Sequence, residues 1–306
     1  MARHLLQRFL LTLPALWLVL TLVFLMIHIV PGDPVEQMLG EGAAPGEVVQ
    51  LRHALGLDQP LLAQYSHYLK HLAQGDLGQS LKFQAPVRQI IFERYPATLR
   101  LAFLALLVCA VIAIPTGVLA AYRRGHAPDR AVAVFTLFGL ALPNFALGPI
   151  LILLFSIELG WLPVSGRGGP AYYVLPAVTL GAALAAILTR MVRGSMLEEL
   201  SSDYVRTARA KGLSMRVVLF RHAFRNALIP IVTILGLQFG TLLAGTIVTE
   251  TIFSWPGIGR LTVQAISSRD YPLLQGCILV IAVSYVLVNL LTDMLYAVID
   301  PRVRLT

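Results

Sequence analysis

Charge is scarce in this sequence. Asp, Glu, Lys and Arg make up 13% of its 306 residues against 57% hydrophobic residues, and the mean hydropathy is +0.75. Apolar runs of about 20 residues recur, the length that crosses a hydrocarbon core as a helix, so a water-soluble domain is excluded. Lysine occurs only at Lys70, Lys82 and Lys211, preceded by Leu69, Leu81 and Ala210. With no Gly-Lys pair, the phosphate-cradling P-loop of an ATPase cannot be built. No His-Glu-x-x-His helix, Gly-x-Ser-x-Gly elbow or Cys/His cluster is present, which removes the common routes to hydrolysis. Cys109 and Cys277 each lie inside an apolar run and read as small hydrophobes. The expectation is a chain that is not an enzyme, with no catalytic residue and no cofactor or metal of its own.

The few charges also avoid the places where an ion-coupled carrier needs them. An ionisable group at mid-membrane costs about 2.5–3.5 kcal/mol and is kept there only to work. Asp293 sits near one end of the last apolar run, within two turns of Asp300 in "DMLYAVIDPR". Both read as structural polar residues, with Asp293 pairing to an Arg of a basic loop. Glu250, at the end of the fifth run, reads as interfacial or gate-lining. The net charge of +8 fits loops held positive on the inner side of a membrane, against anionic lipid, better than nucleic-acid binding.

Six spans are expected, at about 9–30, 99–121, 131–156, 172–192, 228–252 and 273–299, giving an all-α polytopic bundle. The first resembles a secretory signal, but Phe9–Val30 would span about 33 Å as a helix, and no small-x-small cleavage site follows. It reads as a retained transmembrane helix. Arg3, Arg8, Arg123, Arg124, Arg130, the cluster from Arg190 to Arg225, Arg302 and Arg304 fall on one side, against Arg167, Arg260 and Arg269 on the other. Both termini are therefore expected in the cytosol, with residues 31–98 forming a periplasmic loop and 99–306 a five-helix core.

Within the outer loop, Leu61, Leu62, Tyr65, Tyr68, Leu69 and Leu72 recur at helical spacing before Gly75, predicting an amphipathic helix. His67 and His71 share one face of it, but no third metal ligand stands close in sequence. In span five, Gly236, Gly240 and Ala244 form a small-residue stripe suited to helix packing or to a seam with a second subunit. Pro115, Pro143, Pro149 and Pro230 interrupt helical hydrogen bonding within spans.

The densest cations lie in "SSDYVRTARAKGLS", residues 201–214, within an inner loop at 193–227. Ser202 or Asp203 can cap a short helix, Arg209 and Lys211 suit its last turn, and Gly212 can take the left-handed position beyond it. Ser214 then caps a second amphipathic segment, "MRVVLFRHAFRNA", with Val217, Val218 and Phe224 inward and Arg216, Arg221 and Arg225 wet. A lipid anchor needs only cations. The tight punctuation, Ala208 and Ala210 and the exposed Tyr204 favour docking of a soluble partner. A self-contained channel or carrier, working without ATP, and a membrane scaffold with no pathway are the other classes left open by these residues.

"YVRTARAKGLS" followed by "RHAFRNALIP" resembles the EAA loop of ABC importer permeases, in the dipeptide, oligopeptide and nickel branch. The resemblance extends through "PGDP" at 31–34, "LGLDQPL" at 55–61, "ALPNFALG" at 141–148, "QFGTLLAGTIVTETIFSWPGIGRL" at 238–261, "RDYPLLQG" at 269–276 and "DPR" at 300–302. Arg206, Thr207 and Ala208 stand where the general pattern has Glu-Ala-Ala, and Phe224 and Arg225 replace its Leu-Pro ending. The resemblance implies a type I importer permease fold in the bacterial inner membrane. It also implies that Asp203, Tyr204, Arg206, Thr207, Ala208, Arg209, Ala210, Lys211 and Gly212 form the coupling helix against a cytosolic ATPase. Two ATPase subunits would use ATP and Mg, a second, different permease would complete a heterodimer, and an external solute-binding protein would dock outside. The 31–98 loop and "SWPGIGR" at 254–260, with Trp255, Pro256, Gly257 and Gly259, are the expected docking elements. Peptides, glutathione included, are the implied cargo, with nickel as the alternative.

Overall fold

Helix is the only regular secondary structure among the described residues, which are 2–29, 34–39, 44–54 and 56–299 of the computed structural model. The one extended contact there is an antiparallel bridge between Gln79 and Pro86. "PGDP", except Pro34, and Asp300 with "DPR" lie outside the described residues. In chain order the helices are α1 (Ala2–Ile29), α2 (Pro34–Leu39), α3 (Pro45–Ala54), α4 (Leu61–Ala73), α5 (Val87–Tyr122), α6 (Ala127–Ala141) and α7 (Asn144–Leu151). They continue with α8 (Ala171–Leu200), α9 (Asp203–Ala210), α10 (Met215–Val217), α11 (Phe224–Gly245), α12 (Ile247–Ile252), α13 (Ile258–Ser267) and α14 (Tyr271–Ile299). Among the described residues, five segments are long and apolar enough to cross a membrane, in α1, α5, α8, α10–α11 and α14. α6 and α7 make a sixth if counted together.

That last pair corrects the expected span 131–156. α6 ends at Leu142, whose ψ of 110° is extended, and α7 leaves Pro143 at 101° to it. The proline ring drives the residue before it out of the helical region, and its missing N–H removes a helical bond. α7 then runs into a π-helical stretch, Ile152–Glu158. The fifth span is shifted too. It starts at Met215, passes through a π-helical turn at Val218–Ala223, and stops at Gly245 rather than 252. α5 runs unbroken through the boundary expected at 98/99.

α5 and α8 form the spine. Cys109 and Ala113 of α5 and Ala185, Leu188, Val192 and Met196 of α8 are fully buried, and the small side chains let two long helices lie close. α11 packs on α8 and α14, and α1 on α14. Val87 and Ile91 join Ile258, Leu261, Leu273 and Cys277 in a separate cluster at the end of the bundle distal to the α9 loop. Leu11, Trp17 and Leu22 of α1, with Phe135, Leu137, Phe138 and Phe145 of the bent pair, stay exposed. Such faces require lipid or another protein over them.

Candidate functional site

α8 leaves the bundle at Leu200 and turns through Ser201 and Ser202 into α9. Ser202 takes the N-cap position with an extended backbone, φ −71° and ψ 155°. Its hydroxyl does not cap the helix, because it donates back to the Glu199 carbonyl at 2.6 Å. The other end follows the sequence. Gly212 has φ +77°, its N–H donates to Arg209 O at 2.9 Å, and Leu213 N–H donates to Ala208 O at 3.3 Å. These are the paired bonds of a Schellman stop, which needs the left-handed conformation that glycine takes without strain.

α9 is amphipathic over only eight residues. Val205 and Ala208 are buried against Val218, with Leu200 and Met215 beside them. Asp203, Tyr204, Arg206, Thr207, Arg209, Ala210, Lys211 and Gly212 are exposed. Ala208 therefore faces its own chain, and of the two alanines expected to meet a partner only Ala210 is available. Arg206 pairs with Asp203 at 3.3 Å, and the Tyr204 hydroxyl donates to the Glu199 carboxylate. Burial, and then that carboxylate, push the Tyr204 phenol up. Arg216, Arg221 and Arg225 are exposed on the following segment, while Val218 is buried and Val217 and Phe224 are half-buried. The result is a fixed, cationic ledge with an apolar underside anchored to α8 and the π-helical turn.

The distal hairpin α12–α13 departs from expectation. Glu250 is neither interfacial nor exposed to a pathway: its side chain is fully buried. Its Oε1 accepts from Thr98 Oγ1 at 2.6 Å and Thr246 Oγ1 at 3.3 Å, and its Oε2 accepts from Arg260 N–H at 3.0 Å. Thr98 Oγ1 also accepts from Ile258 N–H at 2.9 Å. The carboxylate and the threonine thus cap the first turn of α13, whose own N-cap is Gly257. A Cβ on Gly257 would stand 2.2 Å from the Glu250 carboxylate, and one on Gly259 would stand 2.7 Å from Ile247 Cα. Trp255 is buried, donating from Nε1 to Ala97 O at 3.1 Å and meeting Tyr173 edge-on. Glu250, Trp255, Gly257 and Gly259 accordingly present no surface for a docking protein, and Pro256 is half-buried. A carboxylate within an apolar run, followed by Gly-x-Gly, was the available signal, since a buried charge needs donors and room.

The small-residue stripe is also largely occupied. A Cβ on Gly236 would lie 2.4 Å from Thr292, and one on Gly240 would lie 3.4 Å from Asn289 and Tyr285, all on α14 of this chain. Both glycines serve internal packing, and Ala244 alone is exposed. Asp293 is half-buried on α14.

α4 forms where the spacing placed it, ending before Gly75 at φ +73°. Tyr65 and Tyr68 pack on Phe24 of α1 with tilted rings, at centroid distances of 5.1 and 5.6 Å. A cavity of about 650 Å³ lies between α1, α4 and the start of α14, with His28, Tyr68, His71 and Gln275 in its wall. His28 Nε2 meets Gln64 Oε1 at 2.9 Å, and His71 Nδ1 meets Asp76 at 3.0 Å. The Gly78 N–H and then the His71 imidazole hold the Asp76 carboxyl below its usual range. His67 and His71 both line the cavity, but among the described residues no three His, Cys, Asp or Glu gather as metal ligands.

Two carboxylates escaped the sequence altogether. Asp129, in the first turn of α6, takes a two-pronged ion pair from Arg193 of α8 at 2.6 and 2.9 Å. Asp270 is buried and accepts from Ser80 Oγ, Lys82 N–H and Leu273 N–H, pinning the segment before α5 to the start of α14. Each partner lies far away in sequence or on the backbone, where a motif does not show it.

Residues 113–305 match the model of a family described as binding-protein-dependent transport system inner membrane component, and residues 1–102 match its N-terminal counterpart. The glutathione transport system permease proteins GsiC of Escherichia coli K12 and of Salmonella choleraesuis are 44% and 43% identical to this chain over 304 residues, 99% of each. A chain of the MetNI methionine ABC transporter in an inward-facing conformation superposes with a TM-score of 0.59. It covers 69% of this chain and 97% of its own length at 19% identity, a likeness of fold alone.

Proposed function

The chain belongs to the family of binding-protein-dependent transport system inner membrane components, and from that premise we propose how it works. It is a multi-pass inner-membrane permease subunit of an ABC importer that moves peptides of the glutathione class. It works by alternating access, with α9 receiving the thrust of a cytosolic ATPase. The observation that carries the coupling role is the build of α9: a rigidly stopped, two-turn cationic ledge bedded on the end of a 30-residue span. The chain has no P-loop, so the force must come from outside it.

Closure of an ATPase pair presses the exposed face of α9. Val205 and Ala208 pass that displacement to Leu200 of α8 and to Val218 of the π-helical turn, and through α8 to the spine shared with α5. Close-packed helices shift as bodies rather than compress, so a push at one end re-aims the whole span. Two ATPase subunits use the ATP and Mg, and this chain binds neither. A second, different permease covers the exposed apolar faces and completes the pathway. A periplasmic solute-binding protein delivers cargo at the distal end, and both termini lie in the cytosol with α9.

The test is uptake of glutathione into liposomes holding the full transporter, with ATP inside and the binding protein outside. ATP-dependent accumulation that disappears when the binding protein is omitted is the expected result. Accumulation by this chain alone without ATP would replace the importer with a channel or carrier.

A further inference from the structure

Two contacts between α6 and α8 differ in kind. In the last turn of α6, Gly139 lies so close to Ala186, midway along α8, that a Cβ would stand 2.9 Å from it. At the α9 end, Arg193 Nε donates to Asp129 Oδ1 at 2.6 Å and Nη2 donates to Oδ2 at 2.9 Å. The Gly125 N–H joins the same carboxylate at 2.9 Å, fastening the turn that precedes α6. The Asp129 side chain is 10% exposed and that of Arg193 is 35% exposed.

The two contacts differ in what they transmit. A single close approach of two small residues sets the spacing of the helices but fixes their rotation less than a directional pair does. A fork of two parallel charge-assisted bonds resists pull, push and rotation together. The distinction matters because the 101° bend between α6 and α7 prevents α6 from handing thrust straight along its axis. Whatever moves this span must hold it from the side. Arg193 stands about two turns before Leu200, which lies beside the buried face of α9. Beyond the bend, Gly148 of α7 packs on Ile252 and Phe253, at the turn end of α12 in the distal hairpin.

We propose that the Arg193–Asp129 ion pair is a positioning joint, through which displacement of α9 and α8 is imposed on the bent α6–α7 span and relayed to the distal hairpin. Neither residue touches cargo or nucleotide in this role, and the proposal rests on the importer reading. A break in the joint leaves the ATPases able to turn over while the span no longer follows.

The experiment uses the complete transporter in liposomes and reads ATP hydrolysis and glutathione uptake separately, for Asp129→Asn, Asp129→Arg, Arg193→Asp and the double reversal Asp129→Arg/Arg193→Asp. The three single variants are expected to hydrolyse ATP while uptake per ATP falls about tenfold, and the double reversal to recover to within about threefold of wild type. Unchanged uptake per ATP in Asp129→Asn overturns the joint. So does a double reversal no better than the single ones. Loss of assembly in the single reversals, with Asn normal in coupling, assigns the pair to folding and also overturns it. A wild-type transporter without ATP-driven uptake removes the importer reading instead, and the joint with it.

Discussion

The α9 loop and the α12–α13 hairpin are written in nearly the same local vocabulary, yet the fold uses them in opposite ways. Each is a short helix bounded by glycine, with charge close to an apolar run. In the α9 loop the charges face outward and the C-terminal end is closed by backbone bonds alone, with Gly212 ending the last turn. In the hairpin the charge is inside, and the first turn of α13 depends on the Glu250 carboxylate and the Thr98 hydroxyl. A self-satisfied helix is free to present its surface to a partner. One capped by a buried side chain from elsewhere is committed to its own chain.

The sharpest way to break this contrast is Glu250→Ala. It removes the acceptor for the Thr98 hydroxyl and the Arg260 N–H in a buried site, and should cost about 3 kcal/mol or more. A large fall in the unfolding temperature of the detergent-purified chain, with reduced recovery from membranes, is expected. An unchanged melting curve would show that the hairpin is held by packing alone.

The two glycines give the next largest effect, and they are needed for different reasons. Gly257 has no room for a Cβ, while Gly212 has open space but φ +77°. Asparagine tolerates the left-handed region far better than valine does. Gly257→Asn should therefore destabilise by about 1–3 kcal/mol through overpacking, whereas Gly212→Asn should be nearly silent. Gly212→Val should cost about 1–2 kcal/mol locally. Thermal unfolding of the three variants checks the order, and equal costs for Gly212→Asn and Gly257→Asn would dissolve the distinction.

The smallest effect on stability is expected at Arg206→Ala. The pair with Asp203 is highly exposed on both sides, and exposed pairs contribute about 0–1 kcal/mol. Unfolding should hardly change, while ATP-driven uptake in the complete transporter should fall. Normal uptake would take Arg206 out of the docking face.

What could be read from residue order differs in the same way between the two regions. The spans, α4 and the Schellman end of α9 rest on apolar runs, helical spacing and a glycine, all of which act within a few residues. Pro143 was visible as an interruption, but its 101° consequence was not, because a proline can kink a helix or end it according to what packs around it. Glu250 was misplaced since its donors come from Thr98 on α5 and from the backbone of α13. Asp129 went unremarked and Arg193 counted only as one of the inner-loop cations, because their pairing joins two helices across a bend. Gly236 and Gly240 stood out as small residues suited to packing or a seam, and only the structure shows α14 as the neighbour that fills them.

The central claim is that α9 is the contact through which an external ATPase drives this permease. Its most direct test is affinity purification of the chain from its native membrane in mild detergent, with wild type beside Gly212→Val and the partners identified by mass spectrometry. A second permease and P-loop ATPase subunits should accompany the wild type, with the ATPases depleted from the variant while the second permease stays. ATPases retained equally by both would contradict the claim.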